Sequence, residues 1–333
     1  MRFNVSPQLF DISERSRHRR HCTTLPALNL DGISPPICTP FLRGGGVAWR
    51  HVRANIEKYN GTPLRGYVVA GSTGESVFLT SSEKLRIWEV VRERAAPGRL
   101  VIAGAGAESV QATVALVKGA AERSCDAALI LTPHYYKGQM ARAESQLGYF
   151  RAVADAARIP LLIYNFPQMT GIDLPADVVG QLAEHPNIVG VKESSPDLDK
   201  IASLLTAVPR SFPVLIGASA LYAASLSLGA AGGILAAANA LPAATAEIHQ
   251  RHLAGDRTGA LRAQERIVEA AGVTARFGIQ GLKYAMDLMG FYGGPPRPPL
   301  LPVGDREKRA IDAIFTGFRE GSRTPAVPTL SSK

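Results

Sequence analysis

The sequence has few cysteines, and they are not arranged for disulfide pairing or metal binding. The three cysteines of the 333 residues are Cys22, Cys38 and Cys125, and no CxxC motif occurs. Three thiols cannot all pair, and disulfide frameworks are typical of oxidising compartments. The pattern therefore favours reduced thiols in a cytoplasmic protein.

Long hydrophobic runs are also lacking. The apolar stretch at residues 234–241 is well short of the roughly 18 residues that a membrane-spanning helix needs. The net charge of +9 is partly local, because the segment 15–21 alone carries four arginines, and no basic stripe is interleaved with aromatic residues. We therefore expect neither a membrane nor a nucleic acid as a partner.

Metal-ligand patterns are missing as well. The seven histidines stand at positions 18, 21, 51, 134, 185, 249 and 252, and none forms an HxH or HExxH motif. His249 and His252 share one face of a predicted helix, but this helix follows the predicted barrel, and a solvated face explains the spacing better than a metal site. The sequence predicts no metal centre.

Short strand-like runs alternate regularly with amphipathic helical stretches. Eight alternating units within residues 29–240 predict an α/β protein with a closed (β/α)8 TIM barrel. A doubly wound open sheet is the alternative, but no phosphate-binding glycine turn follows Phe41. The predicted strands are Ile33–Phe41, Gly66–Ala70, Leu100–Ala105, Ala127–Thr132, Pro160–Asn165, Ile188–Lys192, Val214–Gly217 and Gly232–Ala236.

The segments that flank the barrel read differently. Residues 1–28 are rich in Arg, Ser and His, which predicts a disordered arm or an overlong start to the reading frame rather than a targeting peptide. Residues 241–320 predict a C-terminal helical extension, and residues 321–333 a frayed tail. The four predicted helices of the extension are Pro242–Leu253, Thr258–Ala271, Ile279–Met289 and Asp305–Phe318.

The sixth predicted strand ends in a lysine, Lys192, after the apolar run Ile188–Val191. An ammonium in an apolar interior is costly unless it is paired or neutral. A neutral amine can attack a ketone to form a Schiff base. The alternatives are a lysine that extends out to solvent and one that forms a buried ion pair with Glu193.

Other polar side chains lie at strand ends, where barrels carry their chemistry. The turn Gly71–Glu75 follows the second strand, and its two hydroxyls can hold a carboxylate. Tyr164 ends the fifth strand and could shuttle protons, although a tyrosine at a barrel rim is often only packed. An amine, a phenol and two hydroxyls at one barrel face suit attack on a 2-oxo acid and enamine formation.

These strand-end motifs carry a family resemblance. The ordered set GSTGE (71–75), YNFP (164–167) and VKESS (191–195) resembles the dihydrodipicolinate synthase/N-acetylneuraminate lyase family of Schiff-base aldolases. The resemblance covers about residues 32–320. It implies that a protonated imine is the electron sink, so that neither a metal nor an organic cofactor is needed.

The same resemblance assigns roles to individual residues. It implies Lys192 as the Schiff-base lysine, Tyr164 as the general acid/base and Thr73 as the relay hydroxyl. Ser72 with Thr73 would clamp the pyruvate carboxylate, and Tyr135 would enter the site of a neighbouring subunit. A homo-oligomer, either a dimer or a tetramer, is therefore expected.

Three further positions are implied to bind substrate: the backbone carbonyl of Ile234, Gly217 and Ser194. Ser194 matches a serine that the 4-hydroxy-2-oxoglutarate aldolase branch places two residues after the lysine. That branch is also the closer match over four longer stretches, although it can carry asparagine where Thr73 stands. The stretches are VFLTSSEKL (77–85), TPHYYKGQM (132–140), HPNIVGVKES (185–194) and RFGIQGLKYAMDLMGFYGGPPRPPL (276–300).

The resemblance leaves several functions open. We expect reversible cleavage of a 4-hydroxy-2-oxo acid, such as 4-hydroxy-2-oxoglutarate, to pyruvate and glyoxylate. A 4-hydroxy-tetrahydrodipicolinate synthase is an alternative, but Met169 stands where the synthases carry a carboxylate-binding arginine. A 2-keto-3-deoxy sugar-acid aldolase is another alternative. A non-catalytic barrel is disfavoured because the lysine, tyrosine and threonine are all present.

Overall fold

A computed structural model describes residues 28–321, so most of the predicted N-terminal arm and nearly all of the predicted tail lie outside the described residues. Eight parallel strands form one sheet in the order β1-β8-β7-β6-β5-β4-β3-β2. A bridge between Pro36 and Val68 joins the two ends, so the sheet closes into the predicted (β/α)8 barrel. The strands are β1 (Gly32–Ile33), β2 (Gly66–Val69), β3 (Leu100–Gly104), β4 (Ala127–Leu131), β5 (Leu161–Asn165), β6 (Ile188–Glu193), β7 (Val214–Ile216) and β8 (Gly232–Gly233).

Helices surround the barrel and continue beyond it. Those up to α9 lie between successive strands, and the last four form the C-terminal helical region. The α-helices are α1 (Trp49–Asn60), α2 (Ser81–Arg94), α3 (Val110–Glu122), α4 (Lys137–Met140), α5 (Ala143–Ala156), α6 (Pro167–Thr170), α7 (Ala176–Ala183), α8 (Leu198–Ala207), α9 (Tyr222–Leu228), α10 (Pro242–Leu253), α11 (Arg257–Ala271), α12 (Val273–Leu288) and α13 (Asp305–Gly321).

The alternation of side chains along each strand creates two apolar layers. Residues of one parity point into the barrel and form a small core that includes Val68, Leu129, Leu162 and Ile234. Residues of the other parity face the surrounding helices and join the larger outer core, in which Trp88 is fully buried. A buried parallel sheet needs apolar residues on both faces, which explains the continuous hydrophobic runs in the sequence.

The first strand is much shorter than the predicted Ile33–Phe41. Its regular pairing ends at Ile33 because Pro35 and Pro36 have no N–H group to donate to a ladder. The extended chain still closes the barrel, since the Ile37 N–H donates to the Val68 carbonyl at 2.9 Å. The Val68 N–H in turn donates to the Pro35 carbonyl at 2.9 Å.

Several helix boundaries follow the signals in the sequence. Thr80 and Glu83 form a capping box at the start of α2, and the Ser109 side chain caps α3. The predicted start of a helix at Ile279 corresponds to a break inside α12, where Gly278 has a φ of +69°. Glycine adopts this left-handed conformation without steric cost, which other residues cannot.

Two cysteines lie among the described residues, and both are free thiols. Cys38 and Cys125 are buried, and burial raises the pKa of each thiol to about 12. Within residues 28–321, no helix is long and apolar enough to cross a membrane.

Candidate active site

Lys192 and Tyr164 lie side by side at the carboxyl ends of neighbouring strands. The β5–β6 register pairs the two residues directly, so both side chains point into the barrel. The Lys192 Nζ lies 4.0 Å from the centroid of the Tyr164 ring, a cation–π contact, and each residue is only 4% exposed. Within residues 28–321, no hydrogen bond or ion pair engages this ammonium group. The Tyr164 ring is therefore the partner of this ammonium group in the described part of the chain.

Glu193 follows Lys192 but faces the opposite side of the sheet. Its Oε2 accepts a hydrogen bond from Asn165 Nδ2 at 2.8 Å, and its Oε1 accepts one from the Ser195 N–H at 2.6 Å. No ion pair joins it to Lys192 among the described residues. The alternative of a Lys192–Glu193 ion pair is therefore wrong, because alternation along a strand sends adjacent side chains to opposite faces.

Asn165 connects this network to the loop that follows β5. Its Nδ2 also donates to Asp173 Oδ1 at 2.7 Å, and its Oδ1 accepts a hydrogen bond from the Leu174 N–H at 3.1 Å. Asn165 and Glu193 are buried directly behind Tyr164 and Lys192 and fix the strand ends that carry them. Asn165 had no predicted role and Glu193 only that of an ion-pair partner for Lys192, although polar residues at outward-facing strand positions were the available signal.

Ser194 and Gly217 complete the environment of Lys192. The Ser194 N–H donates to the Asn165 carbonyl at 3.1 Å, and the Gly217 N–H donates to the Glu193 carbonyl at 2.7 Å. A Cβ built on Gly217 would lie 1.9 Å from Ser194 Oγ and 3.0 Å from Lys192 Cε. Only glycine at position 217 therefore allows the serine hydroxyl and the lysine stem to lie together.

Replacing Gly217 with alanine is expected to reduce turnover by about 10²-fold, because the new methyl group must displace Ser194 or the reactive lysine by around 1 Å. Steady-state kinetics would measure the loss. Gly148→Ala is the matched control, because a Cβ at that position meets no atom within 4 Å. Unchanged kinetics in Gly217→Ala would contradict the packing described for this position.

The Ser72–Thr73 turn follows β2 at the same end of the barrel. A short 3₁₀ turn spans Ser72–Gly74 and buries Thr73, while Ser72 stays half-buried. The left-handed backbone positions fall on Ala70 (φ +57°) and Glu75 (φ +59°), and not on the two glycines. Gly74 is instead closely packed, because a Cβ there would lie 3.0 Å from the Ile37 carbonyl oxygen.

Ile234 follows β8 and packs in the inner core of the barrel. Its N–H donates to the Ile216 carbonyl at 2.8 Å, and its side chain belongs to the inner core that also contains Tyr164. No hydrogen bond from residues 28–321 ends on the Ile234 carbonyl oxygen.

Tyr135 is not brought to Lys192 of its own chain. It is 77% exposed, and its ring contacts Tyr136 edge-on at 5.1 Å between centroids. Glu108 Oε2 fixes this loop by accepting hydrogen bonds from the N–H groups of His134 and Tyr135, each at 3.0 Å. In the described chain no hydrogen bond joins the Tyr164 hydroxyl to Tyr135 or to Thr73, so the implied relay is not closed within one subunit.

The donor sets of metal centres are not assembled in the described part of the chain. Across residues 28–321, no three His, Cys, Asp or Glu side chains are grouped so that they could hold a metal ion. His249 lies in α10, where its Nδ1 is 2.8 Å from the Tyr222 hydroxyl and its ring is buried. Contrary to the solvated face expected from the sequence, this histidine is part of the packing between α9 and α10.

Comparisons with known proteins agree with this geometry. Residues 29–317 match the model of the dihydrodipicolinate synthetase family. The 4-hydroxy-tetrahydrodipicolinate synthase of Methanothrix thermoacetophila is 33% identical over 290 residues, which cover 86% of this chain and 96% of that protein. The corresponding synthase of Acidiphilium cryptum is 34% identical over 283 residues, covering 85% of this chain and 96% of that protein.

Solved structures give the same answer for the fold. The crystal structure of dihydrodipicolinate synthase from Aquifex aeolicus superposes with a TM-score of 0.81 at 30% identity, and the match covers 86% of this chain and 97% of that one. The family match spans the barrel and most of the C-terminal helical region. The chain therefore belongs to the dihydrodipicolinate synthetase family, and it is a carbon–carbon lyase of the class I, pyruvate-dependent type.

Proposed function

We propose that Lys192 forms a Schiff base with a 2-oxo acid and that the enzyme reversibly cleaves a 4-hydroxy-2-oxo acid, such as 4-hydroxy-2-oxoglutarate, to pyruvate and glyoxylate. The observation that supports this most is the unpaired Lys192 ammonium, 4% exposed and 4.0 Å from the Tyr164 ring centroid. A lysine amine that water barely reaches and that no carboxylate neutralises is suited to attack a ketone.

The proposed reaction balances without a cofactor. The neutral Lys192 amine attacks C2 of the substrate, and the carbinolamine loses water as Tyr164 donates its phenol proton, which gives a protonated imine and the Tyr164 phenolate. Tyr164 takes the proton of the C4 hydroxyl as the C3–C4 bond breaks, and the bonding electrons move into the imine to form an enamine. Glyoxylate leaves, C3 is protonated, and water releases pyruvate and restores the amine.

The substrate carboxylate would bind the hydroxyls of Ser72 and Thr73, with Ser194, Gly217 and the Ile234 carbonyl lining the rest of the site. Ser72 is half-buried and Thr73 buried, so each can donate a hydrogen bond to an anion that is largely removed from water. Tyr135, 77% exposed, would act in the site of a neighbouring subunit. We accordingly propose a homo-oligomer, a dimer or a tetramer, that works in the cytoplasm.

A second candidate is 4-hydroxy-tetrahydrodipicolinate synthase, in which the enamine condenses with aspartate semialdehyde. The names of the similar curated proteins favour this candidate over the first. Met169 argues against the synthase candidate, because it stands where the synthases are expected to carry an arginine. Its side chain lies in α6 and is 61% exposed. A thioether cannot form the bidentate contact with a carboxylate that an arginine forms.

A substrate panel distinguishes these candidates. Purified enzyme would be assayed for pyruvate release from 4-hydroxy-2-oxoglutarate and from a 2-keto-3-deoxy sugar acid. Condensation of pyruvate with aspartate semialdehyde would be measured in parallel. We expect the highest kcat/KM with 4-hydroxy-2-oxoglutarate. A higher value for the condensation would favour the synthase, and a higher value for the sugar acid would favour a sugar-acid aldolase.

Lys137 could supply a cation for the second carboxylate of 4-hydroxy-2-oxoglutarate. Gly171 ends α6 just after Met169, and a Cβ built on it would lie 3.0 Å from Lys137 Nζ. Within residues 28–321, no ion pair or hydrogen bond engages this ammonium, and the side chain is exposed. A cation beside Gly171, close to Met169 in the chain, can therefore bind a dicarboxylic substrate as a point charge.

We expect Lys137→Met to raise the KM for 4-hydroxy-2-oxoglutarate by roughly tenfold, because a charged hydrogen bond contributes about 1.5–3 kcal/mol. Schiff-base formation with pyruvate, which has one carboxylate, should be unaffected. Lys118→Met removes an equally exposed lysine from α3 and serves as the control. Equal KM values for the two variants would exclude Lys137 from substrate binding.

A further inference from the structure

The carboxylate of Glu75 is buried at the end of the Ser72–Thr73 turn. Glu75 is 2% exposed, and its backbone has the left-handed conformation that ends this turn. Its Oε2 accepts a hydrogen bond from the backbone N–H of Arg297 at 2.8 Å, and its Oε1 lies 2.5 Å from Lys283 Nζ. The second contact is an ion pair rather than a well-aligned hydrogen bond. Both partners come from the C-terminal region.

Lys283 makes two contacts in addition to its ion pair with Glu75. The residue lies in α12 and is 0% exposed. Its Nζ donates to the Pro295 carbonyl at 3.0 Å and lies 4.5 Å from the centroid of the Phe41 ring. A charge buried this deeply is stable only when it is paired, so Lys283 and Glu75 depend on each other.

Arg297 fixes the same turn from its other side. Its guanidinium contacts Glu83 with two hydrogen bonds, at 2.6 and 2.8 Å, and donates to the Phe78 carbonyl at 2.6 Å. These hydrogen bonds lower the pKa of Glu83 to about 2, so the carboxylate stays charged at neutral pH. Arg297 thereby connects the chain after α12 to Phe78 and to the first turn of α2, which follow Glu75 in the chain.

The turn needs such support because its backbone is strained at both ends. Ala70 and Glu75 have φ values of +57° and +59°, and a left-handed non-glycine residue costs about 1–2 kcal/mol. Backbone of this kind persists only where its surroundings hold it. On the barrel side, Thr39 Oγ1 donates to the Gly74 carbonyl at 2.7 Å, and the C-terminal region provides the opposite anchor.

We propose that Lys283 and Arg297 are positioning residues for the reaction: the Lys283 ammonium and the Arg297 backbone N–H hold Glu75, and through it the Ser72–Thr73 turn, in the shape that binds the carboxylate of the 2-oxo acid. Both side chains lie over the ring of Phe41 in the outer core, so neither is expected to touch the substrate. The C-terminal region is then part of the catalytic apparatus, and not only a packing surface. This inference rests on the proposed Schiff-base function.

The test compares two ketones that can form the same imine, pyruvate and hydroxyacetone, of which only pyruvate has a carboxylate. The variants are Glu75→Gln and the double variant Glu75→Gln with Lys283→Met. The double variant is included because a single change leaves a buried charge unpaired, whereas neutral replacement of both partners is often tolerated. Arg251→Gln is the control, because Arg251 pairs with Glu247 and Asp256 in the C-terminal region, away from the turn.

Borohydride trapping would be measured against the concentration of each ketone. We expect the half-saturating concentration of pyruvate to rise about tenfold or more in the Glu75 variants, and hydroxyacetone trapping to stay within about twofold of wild type. A parallel loss with both ketones, or no loss with either, would overturn the inference. A wild-type enzyme that traps no pyruvate would instead count against the proposed function, so the two failures are distinguishable.

Discussion

Lys192→Ala is expected to abolish turnover, with a fall in kcat of at least roughly 10⁴-fold, because removal of the covalent nucleophile leaves only binding and polarisation of the substrate. Lys192 is the buried lysine that points into the barrel beside Tyr164. The measurement is pyruvate release under single-turnover conditions, together with thermal unfolding to show that the variant is folded.

Lys84→Ala is a sharp control for this prediction. Lys84 is also buried, and burial lowers the pKa of its ammonium, but it lies on α2 outside the barrel. Desolvation alone should not make a lysine catalytic, so this variant should keep its turnover. Activity retained in Lys192→Ala would contradict the Schiff-base mechanism.

Tyr164→Phe is expected to slow turnover by about 10²–10⁴-fold while the imine still forms, because the phenol transfers protons but does not make the covalent bond. The Phe ring retains the surface that packs against Lys192 and Phe166. Comparing kcat with the yield of borohydride-trapped enzyme separates the two steps.

Tyr149→Phe provides the matched control. This tyrosine is buried too, and its hydroxyl contacts Thr113 Oγ1 at 2.8 Å, between α3 and α5, away from Lys192. Loss of this hydroxyl should cost about 1 kcal/mol of folding stability and leave kcat unchanged. If Tyr149→Phe and Tyr164→Phe lower kcat equally, Tyr164 has no special role in proton transfer.

The barrel, and the end of it that carries the candidate site residues, could be predicted because both depend on local sequence patterns. Continuous apolar runs marked the strands, and each polar residue just after a run marked the carboxyl end of the barrel. The β5–β6 register then pairs Tyr164 with Lys192, two residues that the sequence predicts at strand ends. The first strand was overestimated because apolar residues surround two prolines that cannot join a ladder.

The remaining parts of the site depend on contacts between distant residues. Arg297 and Glu75 are 222 positions apart, and nothing local in either segment indicates that they meet. The stretch 276–300 carries only a family resemblance in the sequence. In the structure, its Lys283 side chain and its Arg297 backbone N–H both contact Glu75, which is far away in the chain. The Gly217 contact is also non-local, because Lys192 belongs to the preceding strand, β6, and Ser194 follows the end of that strand.

The role implied for Tyr135 depends on contacts that a single chain does not contain. The sequence motif implies that this residue acts in catalysis, yet in a single chain its ring lies 77% exposed. Large exposed aromatic residues beside a barrel mouth are typical of surfaces that contact another protein. A role in the site of a neighbouring subunit would reconcile the motif with the exposure, which is why the proposed function includes an oligomer.

Reductive trapping tests the central claim most directly. The enzyme would be incubated with pyruvate, reduced with borohydride, digested and mapped by mass spectrometry. We expect the mass of one reduced pyruvyl group on the peptide that contains Lys192, at that residue, and none in Lys192→Ala. No added mass, or a mass on Lys137 or Lys283 instead, would contradict the account.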